Sequence, residues 1–198
     1  MIVAKVIADA VNEPISLAEA YDHLRVDAVD SDGRPDDTLI ESLIKSARMY
    51  CENFTGLSLA MKDYEVRLAA FTDTIELPHP PFISLLAGVT ITDDVSDNAI
   101  DDDLYTIDDY TDQFAVLAPV TSWPTLSTGN TVRIRYRAGY GDESEAYAAL
   151  PSPIKAAMLL VLGHLYANRE ASTQQAMITL PLGVESLLRF YRVRLGLA

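Results

Sequence analysis

The stretch TVRIRYRAG, residues 131–139, alternates apolar and basic side chains. Its apolar positions are Val132, Ile134 and Tyr136, and its basic positions are Arg133, Arg135 and Arg137. A period of two residues is that of a β-strand, in which successive side chains point to opposite faces of the sheet. The stretch therefore predicts a strand with one buried face and one basic face.

Further short β-rich runs extend back from this strand to about residue 62. They are YEVRLAAF (64–71), TIELP (74–78), SLLAGVTIT (84–92), YTID (105–108) and FAVLA (114–118). The segments that join them are too short to hold crossover helices, which parallel strands require. Residues 62 to 137 therefore predict a small antiparallel sheet.

Two helical patterns precede the β-rich region. Ser16 and Glu19 have the spacing of a capping box, and an apolar stripe follows at Leu17, Ala20, Tyr21 and Leu24. A longer helix is predicted over 37–55, and Gly56 is placed to end it because glycine readily adopts the left-handed conformation. The first part of the chain therefore predicts two helices.

Two more helical patterns follow the β-rich region. Ser152 is predicted as an N-cap with Pro153 at the first helical position, and the helix is predicted to run to about Arg169. Its polar residues Lys155 and His164 lie on opposite sides, so the helix is apolar nearly all round. Such a helix is expected to be buried on several sides, within its own domain or against a neighbouring subunit.

The last helical pattern lies close to the end of the chain. Its apolar stripe is Val184, Leu187, Leu188, Tyr191 and Leu195. Arg189, Arg192 and Arg194 fall near its end, where cations interact favourably with the helix dipole. The pattern predicts an amphipathic helix with a basic terminus.

The order of these patterns predicts an α+β fold. A small helical bundle of about four helices would carry an antiparallel β subdomain inserted between the second and third helices. The corresponding segments are 1–61 for the N-terminal helices, 62–150 for the β-rich insertion, and 151–198 for the C-terminal helices, which could also form a docking arm.

The chain carries a formal net charge of −14 at pH 7, and the charge is uneven. Residues 151–198 hold five basic and two acidic side chains, so the excess of negative charge lies in the first 150 residues. Affinity for DNA depends on Lys and Arg that neutralise phosphates, so direct DNA binding is disfavoured. Cys51 is the only cysteine, which excludes an internal disulfide.

Neither a signal peptide nor a membrane span is expected. The N-terminal stretch MIVAKVIADAVNEP (1–14) lacks the apolar core and the cleavage pattern of a signal peptide. The most apolar run, residues 154–167, is shorter than a membrane span and is interrupted by Lys155 and His164. The sequence predicts a soluble protein that is made inside the cell.

Residues 93–112 hold nine aspartates and no basic residue. Paired carboxylates catalyse reactions when they are held close together in a partly buried pocket, but nothing in this run supplies the apolar frame of such a pocket or a His, Lys or Arg partner. A solvated hairpin edge is favoured over a site, because charge at an edge also prevents stray strand pairing. A weak divalent-cation site stays open as an alternative.

Other chemical motifs have little support. The acidic loop AVDSDGRPDDTL (28–39) resembles a calcium loop, but Ala28 and Leu39 stand where the motif requires carboxylates, so an ordinary turn is favoured. The three histidines, His23, His79 and His164, lie in separate segments without metal-ligand spacing. Phosphate-binding and nucleophile motifs are absent from the sequence. No enzymatic activity, cofactor or metal is predicted.

The order of segments resembles that of the head–tail connector (adaptor) family of long-tailed double-stranded DNA bacteriophages. The resemblance covers about residues 15 to 195. The matching pieces are HLRVD (23–27), the E-x-x-TG helix end at 52–56, AGYG (138–141), NRE (168–170), and LP-x-G-V (180–184) before a last helix that ends in YR (191–192).

The resemblance implies a structural protein of the virion. Such proteins form a homo-oligomeric ring of about twelve subunits around a common axis. The ring docks on the portal protein at the head–tail junction, extends the DNA channel without sequence-specific binding, and receives a downstream neck or tail protein. Neither a membrane nor a cofactor is implied, and synthesis in the host cytoplasm is expected. Candidate contacts to the portal or to other subunits are Arg189, Arg192, Arg194, Tyr191 and His164.

Three other interpretations stay open from the sequence. The chain could be another neck or tail-completion protein. It could instead be an acidic interaction module that stays monomeric and binds a basic protein. A metal-dependent hydrolase would use the aspartate run, and its turnover would then disappear on Asp101→Asn or Asp103→Asn.

Overall fold

A computed structural model describes residues 2–26, 37–92, 97–109, 114–141, 150–168 and 182–193. The chain divides into two compact units. The β unit comprises residues 1–11, 56–140 and 193–198, and the helical unit comprises residues 12–55 and 141–192. The segment boundaries predicted from the sequence, after residues 61 and 150, stay a prediction.

The β unit contains two antiparallel sheets. Its strands are β1 (Ala4–Ala8), β2 (Lys62–Leu68), β3 (Ile75–Leu77), β4 (Phe82–Thr92), β5 (Asp97–Ala99), β6 (Tyr105–Asp108), β7 (Ala115–Pro119) and β8 (Thr131–Ala138). The larger sheet has the strand order β1-β2-β8-β4-β5, and the smaller one has the order β3-β7-β6. Every pairing between these strands is antiparallel, as the short connections predicted.

Strand β8 has the two faces that its alternation predicts. Val132, Ile134 and Tyr136 are buried, and the arginines between them are not. The buried side chains belong to one apolar cluster with Leu77 and Leu117 of the smaller sheet. Full burial of a large apolar side chain contributes roughly 1.5–3 kcal/mol, so this alternation is a main source of stability for the β unit.

The helical unit contains α1 (Leu17–Leu24), α2 (Asp37–Thr55), α3 (Ser152–Ala167) and α4 (Leu182–Leu188), followed by a 3-10 turn at Arg189–Tyr191. The capping box at the start of α1 is present. The Glu19 backbone N–H donates to Ser16 Oγ at 3.3 Å, and the Ser16 backbone N–H donates to Glu19 Oε2 at 3.0 Å. The predicted α+β class, with four α-helices in the described residues and antiparallel sheets, is confirmed.

The C-terminal helices differ in detail from the sequence prediction. Ser152 is the first residue of α3, and Pro151 takes the N-cap position without a side-chain hydrogen bond. The helix ends at Ala167 rather than near Arg169. Helix α4 ends at Leu188, and Tyr191 lies in the 3-10 turn. Arg169, Leu195 and Arg194 lie outside the described residues.

Candidate functional site

The C-terminal turn, defined here as residues 189–192, presents an aromatic ring between two cations. Phe190 is 91% exposed, and Arg189 and Arg192 are also exposed. Buried Val184 and Leu188 anchor the preceding helix α4 in the core of the helical unit. An exposed aromatic ring between two arginines combines the side chains that most often serve as binding anchors at protein interfaces.

Contacts within the helical unit fix the position of the C-terminal turn. The Arg192 guanidinium lies over the Phe54 ring of α2, 5.7 Å from the ring centroid. The Arg192 backbone N–H donates to the Arg189 carbonyl at 3.4 Å. Tyr191 is half-buried. The cation–π contact orients Arg192, so the turn presents Arg189 and Phe190 to solvent.

His164 belongs to a different element from the C-terminal turn. It lies near the end of α3, which packs against α4. Its Nε2 atom is enclosed and has no hydrogen-bond partner among the described residues, and its Nδ1 atom is 3.5 Å from the Asn168 side-chain nitrogen. The structure therefore brings Arg189, Tyr191 and Arg192 together, and it places His164 on the neighbouring helix.

Sequence reasoning missed Phe190. The residue lies outside the apolar stripe formed by Val184, Leu187, Leu188 and Tyr191. An aromatic residue on the polar face of an amphipathic helix is a signal that could have identified it.

A second charged surface covers the outer face of the larger sheet. The arginine face, as we define it, comprises Lys5 of β1, Asp63, Glu65 and Arg67 of β2, and Arg133, Arg135 and Arg137 of β8. Their registers place these residues side by side, because residues directly opposite each other in an antiparallel pair share a face. On these three strands the face has five cations and two carboxylates.

Two carboxylates hold three of the arginines of this face, Arg67, Arg135 and Arg137, in place. Glu65 accepts from Arg67 Nε at 2.7 Å and from Arg135 Nε at 2.8 Å. Asp63 binds Arg137 through two contacts, Nε–Oδ1 at 2.7 Å and Nη2–Oδ2 at 3.2 Å. The guanidinium groups are therefore oriented by the sheet itself, which lowers the entropy cost of binding an anion.

Burial and these contacts shift the pKa values on the arginine face. Burial raises the pKa of Glu65, but the hydrogen bonds from Arg135 and Arg67 outweigh it and hold that pKa below its ordinary value of 4.5. Burial and the positive charge of Arg135 lower the pKa of the Arg133 guanidinium. Glu65 is therefore held as a carboxylate among cations that also repel one another.

We expect Glu65→Gln to destabilise the protein at neutral pH by about 2 kcal/mol, the typical worth of hydrogen bonds to a charged group. The folded-state pKa of Glu65 is lowered, so its stabilisation is present above pH 4.5 and is lost as the pH falls through the folded value. Urea unfolding at several pH values should show that the difference in unfolding free energy between Glu65→Gln and wild type shrinks in acid. A difference in unfolding free energy that stays constant with pH would contradict the ionic role of Glu65.

The acidic segment is defined here as the exposed aspartates that follow β5, namely Asp101, Asp102, Asp103, Asp108 and Asp109. Asp102 accepts a hydrogen bond from the buried Tyr105 hydroxyl at 2.6 Å. Burial and this carboxylate raise the pKa of Tyr105 to about 12. Asp101 and Asp103 flank this contact and present their carboxylates to solvent.

The metal-site candidates gain no support from the described residues. Among them, no group of three or more His, Cys, Asp or Glu side chains is placed to hold a metal ion. The calcium-loop candidate falls mainly on residues 28–36, and the ends of the aspartate run fall on 93–96 and 110–112, which lie outside the described residues. Within the described part of the chain, no helix is long and apolar enough to cross a membrane.

Exposed apolar side chains also occur on the longer helices. Met49 of α2 is 49% exposed and Leu160 of α3 is 37% exposed. The buried residues of α3 are Ile154, Ala157, Met158, Val161 and Leu162. Although α3 is apolar nearly all round, one side of it therefore stays accessible within a single copy.

Three solved structures share this fold over nearly the whole chain. A chain in the neck of an empty gene transfer agent (GTA) particle, computed with C6 symmetry, has a TM-score of 0.83 at 22% identity. A chain in the virion of the native GTA particle has a TM-score of 0.78 at 21% identity, and one in the native neck computed with C12 symmetry has 0.73 at 19%. Each similarity covers 99% of this chain and 98% of the other.

Comparisons of sequence alone add nothing to this result, since no family model and no curated protein matches the chain. At 19–22% identity the structural similarity shows a shared fold. The shared fold with chains of a GTA neck and virion agrees with the resemblance to phage head–tail connectors that the segment order indicated.

Proposed function

We propose that this chain is a structural protein of a phage-like virion neck. Copies would form a ring at the head–tail junction, dock on the portal, extend the DNA channel, and receive the next neck or tail protein. The observation that carries the proposal is the end-to-end similarity of fold to chains in the neck of a GTA particle. Those necks were computed with C6 and C12 symmetry, which is the reason to expect a ring here.

The exposed apolar residues on the helices support assembly into a ring. Leu160 and Met49 expose much of their surface in a single copy. A ring subunit offers two different surfaces to its neighbours, and the centre of such an interface is enriched in apolar side chains, methionine among them. We assign the accessible side of α3 to a contact between subunits, and His164 of the same helix is a candidate member of that contact.

The C-terminal turn supports docking on another neck component. Phe190 is an exposed aromatic anchor, and Arg189 and Arg192 flank it. Aromatic and arginine side chains dominate the binding energy of protein interfaces. We therefore assign Arg189, Phe190, Tyr191 and Arg192, together with the following Arg194, to the contact with the portal.

The net charge of −14 suits a channel that DNA must cross without adhering. Phosphate groups are repelled by a surface with an excess of carboxylates, and specific binding would need unopposed cations. We propose that DNA passes through the ring without sequence-specific contacts. The protein would be made in the host cytoplasm and would act in the assembled virion.

Co-expression with the portal protein of the same genome tests this proposal. The two proteins should elute together in size-exclusion chromatography, and negative-stain images of that peak should show an added ring of density on the portal. Complete separation of the two proteins, with a well-folded monomer left over, would contradict docking on the portal.

Phe190→Ala should weaken the affinity for the portal at least tenfold, seen as loss of co-elution, without changing the stability of the free protein. The side chain is 91% exposed, so its loss leaves no cavity, whereas a buried aromatic anchor at an interface contributes about 2 kcal/mol or more. Val11→Ala is a matched control, because Val11 is 96% exposed and lies in neither candidate surface. Equal binding by wild type and Phe190→Ala would exclude Phe190 from the docking contact.

Truncation is a poorer test of the docking arm than this single substitution. Val184 and Leu188 of α4 are fully buried, so a chain that ends at Gly183 would lose part of the helical core. The resulting loss of binding would report unfolding as well as the missing contact.

A further inference from the structure

We infer that strand β1 of one copy pairs edge to edge with strand β6 of a neighbouring copy. The inference rests on the proposed function and deepens it, because it names two surfaces through which adjacent subunits of the ring would join. Both strands belong to the β unit, and each is the end strand of its sheet in the described part of the chain. An end strand presents backbone N–H and C=O groups with which another strand can pair.

Strand β1 is an end strand with apolar side chains in water. Val6 is 43% exposed and Ile7 is 44% exposed, and Val3, just before the strand, is 68% exposed. Natural proteins protect a sheet edge with charges, with proline or with a covering segment. The segment 2–8 has one charged residue, Lys5, and no proline. Such an edge is typical of a strand that a second chain covers by pairing with it.

Strand β6 offers a second edge of the same kind. It is the longest of the three other end strands, β3, β5 and β6. Its Ile107 is half-buried, whereas Thr106 is exposed on the opposite side of the strand. Leu104, just before the strand, is 42% exposed. Val120 donates its backbone N–H to the Leu104 carbonyl at 2.9 Å and is 59% exposed. The β6 edge therefore carries exposed apolar side chains, as the β1 edge does.

The two edges lie well apart within one copy. A Cβ atom at Gly88 of β4 would lie 3.3 Å from the Tyr105 hydroxyl, so β6 packs over β4. Three strand spacings, about 14 Å, separate β1 from β4 in the larger sheet. A ring subunit meets its two neighbours through two different surfaces, which separated edges provide. Pairing of β1 with β1 would use one surface twice and would close a two-fold dimer instead.

The side chains along the two edges also suit each other. Ala4 of β1 packs against the apolar core, and Val6 shares its side of the strand. Lys5 lies on the other side, opposite Glu65 of β2. When the inner sides of both strands are aligned, Val6 comes next to Ile107, and Lys5 comes next to the outer side of β6 with its acidic segment. Apolar pairs and pairs of opposite charge across two strands are both stabilising.

Cross-linking between two different variants tests this contact. Cys51 is the only cysteine and is fully buried, so Lys5→Cys and Thr106→Cys each add one accessible thiol. An equimolar mixture treated with a short bis-maleimide should give a covalent heterodimer, identified by its mass, because paired strands lie about 4.8 Å apart. Each variant treated alone should stay uncross-linked. Lys5→Cys mixed with Thr125→Cys, an exposed position outside the strands, is the matched control.

A charge on the β1 edge gives a second test with the same readout. Val6→Asp, added to Lys5→Cys, should lower the yield of heterodimer with Thr106→Cys about tenfold, because it places a carboxylate next to the acidic segment. Val11→Asp in the same background is the matched control, since Val11 is 96% exposed and lies outside β1. Urea unfolding of both variants checks that the β unit stays folded.

Cross-linking is carried out on the free protein at high concentration and on the protein co-expressed with the portal. Heterodimer in either sample, lowered by Val6→Asp and not by Val11→Asp, supports the inference. The inference is overturned if neither sample gives heterodimer above the Thr125→Cys control, or if Val6→Asp acts no more strongly than Val11→Asp. A homodimer of Lys5→Cys would also overturn it, because it would indicate two-fold pairing of β1.

The same samples separate this inference from the proposed function. Portal complexes that form without the heterodimer would overturn the contact between β1 and β6 and leave the neck function in place. Heterodimer in the free protein, without any binding to the portal, would contradict docking and leave the contact in place.

Discussion

Gly139→Ala should destabilise the β unit by about 4 kcal/mol, more than most single substitutions. A Cβ atom at Gly139 would lie 2.1 Å from the Ala60 carbonyl oxygen and 2.8 Å from Met61 Cα. These are backbone atoms, so the strand ends themselves would have to move. The φ angle of 131° adds a conformational cost, because side chains other than glycine rarely adopt it.

Gly129→Ala separates these two costs. Gly129 also has a positive φ angle, 93°, but a Cβ atom there would meet nothing within 4 Å. We expect a loss of about 1–2 kcal/mol, which is the conformational part alone. Chemical denaturation of both variants measures the difference. Equal losses at the two positions would contradict the close approach of residues 60 and 139.

Arg48→Ala should destabilise the helical unit by about 3–5 kcal/mol. Among the described residues, Arg48 has the largest fully buried side chain, with 1% of its surface exposed. It binds Glu13 through Nε–Oε2 at 2.7 Å and Nη2–Oε1 at 3.1 Å, and Glu52 through Nη1–Oε2 at 3.1 Å. Its loss leaves two partly buried carboxylates close together and opens a cavity.

Two further variants separate the effects of burial, charge and volume: one is an exposed arginine on another element, and the other removes the charges of the Arg48 cluster. Arg67→Ala removes an arginine that is 62% exposed, so it should cost less than about 1 kcal/mol. Arg48→Met combined with Glu13→Gln and Glu52→Gln removes the charges and keeps most of the volume, and it should recover much of the stability. If Arg48→Ala unfolds at the same urea concentration as wild type, the buried ion cluster does not stabilise the fold.

The sequence predicted the elements whose signals are local. The alternation of 131–138 identified β8 and its buried face, and the capping box at Ser16 and Glu19 identified the start of α1. Strand β1 was not predicted. Its five residues are mostly exposed, so it shows no alternation, and its pairing with β2 depends on residues about sixty positions away.

The candidate sites depended more strongly on tertiary structure. The three basic positions of β8 were visible as a basic face, but their partners Asp63 and Glu65 lie about seventy residues earlier and were not linked to them. The arginines of the C-terminal turn were found from their place near a helix end. The neighbouring Phe190 was not. Its place outside the apolar stripe is visible in the sequence, but its degree of exposure follows from the packing of α4.

A cryo-electron microscopy map of the complex co-purified with the portal tests the central claim most directly. We expect a closed ring of this chain on the portal axis, with the C-terminal turn against the portal. A single copy bound off the axis, or a portal without any density for this chain, would contradict it.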